Sequence, residues 1–332
     1  MKRVNLSDDP AAGQAAGVVS CDGGGTGWQA VPDLPDVRTP AERVAPYIRR
    51  TPVLRAEIGG RPLALKLEHL QQTGSFKIRG ALNALLSTGG GHRPERVVTA
   101  SGGNHGLGVA AAARWLGAAA TVFVPGNVPE AKARRIAATG AEVVRTGRRY
   151  ADAEQAARDL AARDGVRYLH AYDDPRVVAG QGTIGLEIAA DAPDCDTVAA
   201  AVGGGGLLAG VSVGAAPRHA VGVEPEGCPT LHSAMAAGTP VDVGVGSVAA
   251  SALGATRLGA IPFAVFRERP PALALVSDAE IIGARDRLWE EFRLAVEPAA
   301  AAVFAAWLAG RVPGACPCLV LSGGNTGWSP AS

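Results

Sequence analysis

One lysine stands in a junction whose residue types suit carbonyl chemistry. Lys77 belongs to residues 73–80, Thr-Gly-Ser-Phe-Lys-Ile-Arg-Gly, at the predicted start of a helix. The partial positive charge of a helix N-terminus disfavours a cation by roughly 0.3–1 kcal/mol, which lowers the pKa of a lysine placed there. A neutral amine can attack a carbonyl or abstract a proton. The segment therefore predicts a Schiff-base lysine, with a solvated surface lysine as the alternative.

Three further junctions between strands and helices are rich in glycine. Residues 101–106, Ser-Gly-Gly-Asn-His-Gly, precede an alanine-rich segment, and Asn104 could donate to a hydroxyl or phenolate oxygen. Residues 203–206 are four consecutive glycines, and residues 322–327 again follow an apolar strand. Bare backbone N–H groups at such turns suit a carboxylate or a phosphate. A purely structural turn is the alternative for residues 101–106.

The tetraglycine junction also fits a dinucleotide-binding fingerprint. Gly204, Gly206 and Ala209 have the spacing of that pattern. Glu224 follows the next strand, where an acid would bind a ribose hydroxyl. The junction alone therefore favours a nicotinamide or flavin enzyme as strongly as any other class.

These junctions lie in a regular succession of predicted strands and helices. Short apolar runs alternate with helical patterns from about residue 51, which predicts an α/β fold with parallel sheets flanked by helices. Ser277 and Glu280 form a capping box that predicts one helix start. Other helices are predicted from about residue 76 and over residues 107–116, 129–139 and 152–163. The predicted strands are residues 63–67, 96–100, 121–124, 141–144, 167–171, 197–202, 219–223 and 318–321.

Composition excludes several classes of protein. The chain has 332 residues, 47% of them hydrophobic, which excludes global disorder. The 32 basic and 31 acidic residues leave a net charge of +1, so nothing indicates a nucleic acid or a membrane as partner. The five cysteines are scattered without a Cys-x-x-Cys pair, which argues against a disulfide framework and indicates the cytoplasm.

Four motifs in one order resemble the fold-type II pyridoxal-phosphate enzymes, whose fold is similar to that of the tryptophan synthase β subunit. They are residues 65–81, 101–105, 203–206 and 322–325, and the similarity extends from about residue 51 to residue 325. Within that family, the motifs resemble the serine/threonine dehydratases, which are ammonia-lyases. The dinucleotide alternative leaves the Gly-Ser-Phe-Lys segment unexplained.

The resemblance implies a role for each matching residue. Lys77 would hold pyridoxal 5'-phosphate through its amine and would remove the substrate's Cα proton, and Ser322 would face the pyridine nitrogen. The other implied cofactor contacts are Phe76 beside the ring, Asn104 at the 3-hydroxyl, and Gly203, Gly204, Gly205 and Gly206 at the phosphate. The implied loop for the substrate carboxylate consists of Ser101, Gly102, Gly103, Asn104 and His105.

The activity implied by the resemblance is α,β-elimination. A β-hydroxy amino acid of the L-threonine or L-serine type would yield a 2-oxo acid and ammonia. A β-replacement enzyme similar to cysteine synthase and an inactive cofactor-binding paralogue remain alternatives. A homodimer is the assembly that the family implies.

Three positions qualify the resemblance. Relatives that racemise serine carry a hydroxyl residue where this chain has Gly102, so racemisation is expected to be poor. Glu224 matches the first acid of a divalent-cation site, but Thr230 replaces the second, so Glu224 is a candidate metal ligand with a structural acid as the alternative. Glu297 is expected to cap the helix that follows it.

The resemblance also implies a domain arrangement. Residues 1–40 are expected to form a flexible leader, because they show no sustained apolar period. Residues 41–95 and 173–332 would form the large cofactor-binding domain. Residues 96–172 would form a small domain inserted in it, with the cofactor in the cleft between the two.

Overall fold

The computed structural model describes residues 34–87 and 94–329. A six-stranded sheet has the order β1-β2-β10-β7-β8-β9, in which β1 and β2 are antiparallel and all other neighbours are parallel. Its apolar central strands are buried on both faces, as expected for parallel strands between helix layers. Its strands are β1 (Val53–Ile58), β2 (Arg61–Lys66), β7 (Thr197–Ala201), β8 (His219–Pro225), β9 (Ala272–Val276) and β10 (Pro317–Val320).

A second sheet has the order β5-β4-β3-β6 and is parallel throughout. Its strands are β3 (Arg96–Ala100), β4 (Ala119–Val124), β5 (Glu142–Arg145) and β6 (Val166–Tyr168). The α/β class with parallel sheets flanked by helices is thus confirmed.

Helices connect the strands and cover both sheets. The helices are α1 (Leu34–Val44), α2 (Lys77–Leu86), α3 (Asn104–Trp115), α4 (Glu130–Ala137), α5 (Tyr150–Ala161), α6 (Pro175–Asp191), α7 (Gly206–Gly214), α8 (Thr230–Ala237), α9 (Ala250–Leu253), α10 (Ala260–Glu268), α11 (Asp278–Phe292) and α12 (Pro298–Leu308). None of the helices in the described ranges is long and apolar enough to cross a membrane.

Glycine allows two of these helices to approach closely. A Cβ atom on Gly214 of α7 would lie 2.0 Å from the carbonyl oxygen of Gly182 in α6. Any larger residue at position 214 would force the two helices apart. Glycine is therefore retained there despite its low helix propensity. The close contact fixes α7, whose first turn faces the candidate site.

The structure corrects some predicted boundaries. The capping box of Ser277 and Glu280 is present at the start of α11, as predicted. The leader expected up to residue 40 is wrong at its end, because residues 34–40 already form α1, whose Val37 is fully buried. The rest of that expectation, residues 1–33, lies outside the described residues.

A buried group of charged side chains holds the start of α2 in place. The guanidinium of Arg79 donates to both carboxylate oxygens of Glu68, at 2.8 Å each, and to Glu187 at 2.8 Å. Lys66 donates to the other oxygen of Glu187 at 2.5 Å. Buried charges persist only when they are paired in this way. The group therefore ties β2 and α6 to the turn of α2 that begins with Lys77.

Candidate active site

The four junctions singled out in the sequence converge on one cavity of about 350 Å³. It lies at the carboxyl ends of parallel strands, where ligands bind in open α/β sheets. All predicted cofactor and substrate residues line it: Phe76, Lys77, Ser101, Gly102, Gly103, Asn104, His105, Gly203, Gly204, Gly205, Gly206 and Ser322. Glu224 does not.

Lys77 is the first residue of α2, and its amine lies inside the cavity. Nζ donates to the carbonyl oxygen of Ala171 at 2.8 Å and lies 5.1 Å from the centre of the Phe76 ring. Burial lowers the pKa of Lys77 to about 8, and the nearby charge of Glu297 opposes that change. The low pKa expected from the sequence is present, with desolvation as its main cause. About a tenth of this amine is therefore neutral at pH 7 and about half at pH 8, far more than for an ordinary lysine.

The tetraglycine loop forms a cradle that admits no side chain. A Cβ atom on Gly203 would lie 3.0 Å from Cα of Leu253, and one on Gly204 would lie 2.2 Å from the ring of Tyr172. Gly205 has φ +93°, which favours glycine, and α7 begins immediately after it. The first N–H groups of a helix lack partners within that helix and attract anions. The cradle therefore fits a phosphate group.

Asn104 is held in one orientation by two hydrogen bonds. Its Nδ2 donates to Oε1 of Glu297 at 2.8 Å, and its Oδ1 accepts from Nδ2 of Asn325 at 2.8 Å. Because each amide hydrogen can serve one acceptor, one hydrogen of Nδ2 remains for a hydroxyl in the cavity. The fourth junction thus acts on the site through Asn325 as well as Ser322.

Glu297 is a site residue that the sequence analysis misassigned. The predicted capping role is wrong, since its side chain makes no cap hydrogen bond at α12. It lines the cavity instead, and burial raises its pKa to about 7, against the hydrogen bond from Asn104 and the charge of Lys77. A carboxyl group and an amine that both titrate near neutral pH therefore share this cavity.

Two positions of the loop over residues 101–105, Gly102 and His105, are closely constrained by their neighbours. A Cβ atom on Gly102 would lie 2.7 Å from Cγ2 of Val128, so this position has no room for a larger residue. His105 contacts the carbonyl oxygen of Leu169 through Nε2 at 3.1 Å, and its Nδ1 is buried without a partner. Burial lowers the pKa of His105 to about 3, so its ring is neutral.

Tyr172 and Ala171 were not predicted as site residues. They follow β6, and Tyr172 places its ring against Gly204 while its hydroxyl donates to the carbonyl of Arg257 at 3.3 Å. The segment that follows a parallel strand is the signal that could have identified them. Because this segment contains no glycine, it lacked the feature that marked the other junctions.

Ser322 is buried at the edge of the cavity, where β10 ends. Its carbonyl oxygen accepts the N–H of Phe76 at 3.2 Å, which joins the last junction to the segment that carries Lys77. Ser75 and Gly323 form an isolated antiparallel bridge beside it. Ser322 and Lys77 therefore keep a fixed relative position.

Glu224 accepts hydrogen bonds from three residues at the start of α8. Its buried carboxylate accepts from the hydroxyl of Thr230 at 2.9 Å and from the N–H groups of Leu231 at 2.6 Å and His232 at 2.9 Å. Within residues 34–87 and 94–329, it belongs to no group of three His, Cys, Asp or Glu side chains arranged to hold an ion. These contacts favour a structural acid over a metal ligand at Glu224.

The site thus combines a partly neutral lysine amine with two helix N-termini and an oriented amide. These features together define an α/β enzyme site for an anionic cofactor that carries a carbonyl group. The family described as "Pyridoxal-phosphate dependent enzyme" matches residues 44–323. The chain belongs to this family. The fold-type II resemblance and the predicted cofactor, pyridoxal 5'-phosphate, are confirmed.

Two curated relatives illustrate the similarity. The L-threonine ammonia-lyase of Geobacter sulfurreducens is 39% identical in an alignment of 295 residues that covers 86% of this chain and 73% of that protein. The serine racemase of Arabidopsis thaliana is 33% identical in an alignment of 308 residues that covers 88% of this chain and 93% of that protein.

Solved structures show the same fold. The T.th. threonine deaminase superposes with a TM-score of 0.84 at 38% identity, over 90% of this chain and all of the other. A maize serine racemase superposes with a TM-score of 0.83 at 29% identity, over 90% of this chain and 94% of the other.

Proposed function

We propose that this protein is a pyridoxal-phosphate-dependent ammonia-lyase that converts L-threonine, L-serine or a related β-hydroxy amino acid to a 2-oxo acid and ammonia. The observation that carries the proposal is the convergence of the Lys77 amine, the tetraglycine cradle, Asn104 and Ser322 on one cavity. The relatives named as L-threonine ammonia-lyases, which reach 39% identity, support the reaction type.

The residues present would hold the cofactor at three places. The N–H groups of residues 203–206 and the start of α7 would bind the phosphate, Asn104 would donate to the ring hydroxyl, and Lys77 would bind the carbonyl carbon. When bound, the cofactor supplies the electron sink that makes the Cα–H bond of an amino acid acidic. Phe76, which lines the cavity, would border the ring.

Lys77 is the base in this proposal. Its amine is neutral in a substantial fraction of molecules near pH 8, so it can accept the Cα proton once it is free. The N–H groups of residues 101–105, at the start of α3, would hold the substrate carboxylate and orient Cα toward that amine. The β-hydroxyl then leaves as water, and hydrolysis of the resulting enamine gives the 2-oxo acid and ammonia.

Ser322 favours elimination over transamination. A serine hydroxyl cannot hold a protonated pyridine nitrogen as a carboxylate would, which makes the cofactor a weaker electron sink. With Ser322 at that nitrogen, the negative charge left at Cα would be less stabilised, so prompt loss of the β-hydroxyl would outcompete reprotonation.

Gly102 and Val128 favour elimination over racemisation. Inversion at Cα needs a second acid on the face opposite Lys77, and relatives that racemise serine have a hydroxyl residue at position 102. Here the position is glycine, and the side chain of Val128 fills the space that a Cβ atom would need. Position 102 therefore offers neither the acid nor the room for it.

The remaining assignments belong to the same proposal. Residues 96–172 would be the small domain, which the separate four-stranded sheet supports, and residues 41–95 with 173–332 the large one. A homodimer is the assembly that we propose from the family. The cytoplasm is the proposed compartment, on the basis of the scattered cysteines.

A substrate panel tests the function. Purified protein loaded with pyridoxal phosphate is incubated separately with L-threonine, L-serine, 3-hydroxyaspartate and phenylserine, and 2-oxo acid and ammonia are quantified. We expect equal amounts of both products from at least one of these substrates. An inactive paralogue would change its visible absorbance with the amino acid and release neither product.

The same assay distinguishes β-replacement. O-acetylserine is supplied with sulfide, and cysteine and 2-oxo acid are both measured. Our proposal predicts 2-oxo acid as the main product. Cysteine as the main product would identify a cysteine-synthase-like enzyme.

A further inference from the structure

Three cysteine thiols lie close together at the amino ends of the strands of the six-stranded sheet, whereas the cavity lies at the carboxyl ends. Cys195 lies just before β7, and Cys316 just before β10, at the amino ends of neighbouring parallel strands. Their sulfur atoms are 3.7 Å apart although 121 residues separate them in the chain. Cys318 lies two residues further along β10, on the same face as Cys316, and its thiol is close enough to Cys195 to affect the pKa of that thiol.

An arginine completes this cluster. Nη1 of Arg55 lies 3.5 Å from the sulfur of Cys195 and 3.5 Å from that of Cys316, and it donates to the carboxylate of Asp194 at 2.9 Å. A guanidinium within hydrogen-bonding distance of two sulfurs stabilises a thiolate on either. The neighbouring thiols of Cys318 and Cys316 and the charge of Arg55 lower the pKa of Cys195 to about 7, while burial opposes the change.

Cys195 and Cys316 differ in exposure, which suits them to different roles. Cys195 is 3% exposed, whereas Cys316 is partly exposed at the end of a surface loop that includes Gly314, with φ +113°. The carboxylate of Asp196 accepts the N–H of Ala315 at 2.7 Å and so keeps this loop beside Cys195. A disulfide has a bond length of about 2.05 Å, so the sulfurs need only a small movement of the loop and the side chains to join.

We propose that Cys195 and Cys316 form a dithiol site that hydroperoxides oxidise reversibly to a disulfide. The Cys195 thiolate attacks one oxygen of the peroxide, the O–O bond breaks, and the other oxygen leaves as an alcohol or as water after taking a proton. The sulfur of Cys316 then attacks the sulfenic acid on Cys195, the S–O bond breaks, and water leaves with the Cys316 proton. Two thiols lose two electrons and the peroxide gains them.

The charge of the cluster argues against a metal site. Asp194, Cys195 and Cys316 could in principle hold an ion. However, Arg55 already supplies the positive charge beside both sulfurs and pairs with the same carboxylate, so a cation would have to displace it. The dithiol proposal is independent of the proposed function, because the cluster and the cavity lie at opposite ends of β7 and β10.

Peptide mapping of the native holoenzyme tests the site. The protein is exposed to hydrogen peroxide near pH 7, free thiols are alkylated, and the cross-linked peptides are identified by mass spectrometry, with and without later treatment with dithiothreitol. We expect a Cys195–Cys316 link, loss of two thiols per chain, and recovery of both on reduction. The result needs no variant, so it does not depend on how well a variant folds.

Matched variants test the mechanism. Cys228→Ser removes a buried cysteine outside the cluster and should lose two thiols at the wild-type rate. Cys316→Ser should stop at a sulfenic acid on Cys195, and Arg55→Leu should slow thiol loss near pH 7 several-fold. A link that involves Cys21, Cys228 or a second chain, a Cys316–Cys318 link, or no thiol loss would overturn the proposal. So would one tightly bound zinc ion that protects both thiols.

Discussion

Nδ2 of Asn104 donates to Oε1 of Glu297 at 2.8 Å, although 193 residues separate the two in the chain. This contact brings a carboxylate next to the amide that faces the cofactor site and close to the amine of Lys77. Burial raises the pKa of Glu297 to about 7 and lowers that of Lys77 to about 8, and the charge of each group opposes the change in the other. The two groups therefore titrate near each other, which leads to a first prediction.

Capture of pyridoxal phosphate by cofactor-free protein should depend on pH through Lys77. Only the neutral amine reacts, so the initial rate should rise about tenfold per pH unit and level off above about pH 8. Stopped-flow absorbance in the visible region measures this rate. A rate that keeps rising to about pH 10, as an ordinary lysine would give, would contradict the assignment.

Glu297→Gln should move that pH profile to lower pH. The glutamine can still accept the hydrogen bond from Asn104, but it removes the negative charge that favours protonated Lys77. We expect the midpoint to fall by up to about one unit. Glu130→Gln, at an exposed position of α4, is the control and should leave the midpoint unchanged. A midpoint that rises in Glu297→Gln would refute the coupling.

Gly204→Ala should weaken cofactor binding without unfolding the protein. The added Cβ would lie 2.2 Å from the ring of Tyr172, and overpacking of this kind costs about 1–3 kcal/mol, or roughly five- to 150-fold in affinity. Gly244→Ala is the control, since nothing lies within 4 Å of its Cβ position. Equilibrium titration followed by absorbance measures both. Adding Tyr172→Ala should restore part of the affinity, and equal affinities for both alanine variants would contradict the cradle.

Racemisation should require two changes rather than one. Wild type should release ammonia from L-serine at least about 100-fold faster than it forms D-serine, because it lacks the second acid. Gly102→Ser alone should form little D-serine, since its Cβ would clash with Val128. Gly102→Ser with Val128→Ala should form at least about tenfold more. Chiral chromatography measures D-serine, and substantial racemisation by wild type would refute the argument.

Removal of Arg79 should destabilise the fold strongly. Arg79→Met leaves the buried carboxylates of Glu68 and Glu187 without their guanidinium, which should lower the free energy of unfolding by about 3–5 kcal/mol. Arg134→Ala breaks an exposed pair with Glu130 and should cost less than about 1 kcal/mol. Urea unfolding of cofactor-free protein measures both. Similar losses in the two variants would contradict the importance of the buried group.

Local pattern was sufficient to predict the four junctions that line the cavity, although not Ala171, Tyr172 or Glu297. Parallel strands bring their carboxyl ends to one edge of a sheet, so junctions that are far apart in the chain must meet there. Glycine marked the cradle because only glycine fits at Gly204 and Gly205. The strand predicted over residues 167–171 ends at Tyr168, because the chain then leaves the sheet to bring Ala171 to Lys77.

Long-range pairs could not be predicted in this way. Glu297 precedes a proline at a helix start, a local pattern typical of a cap, and only the folded chain shows that Asn104 competes successfully for its carboxylate. The three-thiol cluster depends on the adjacency of β7 and β10, which no spacing in the sequence encodes. The same holds for the pairing of Arg79 with Glu187, which lies in a different helix.

The central claim is that Lys77 performs the chemistry of an ammonia-lyase. The most direct test compares the release of 2-oxo acid from L-threonine and L-serine by cofactor-saturated wild type and Lys77→Ala in the same assay. Loss of the base should lower the turnover number by about 100- to 10,000-fold. A circular dichroism spectrum like that of wild type would show that the variant folds. Full turnover by Lys77→Ala would contradict the account.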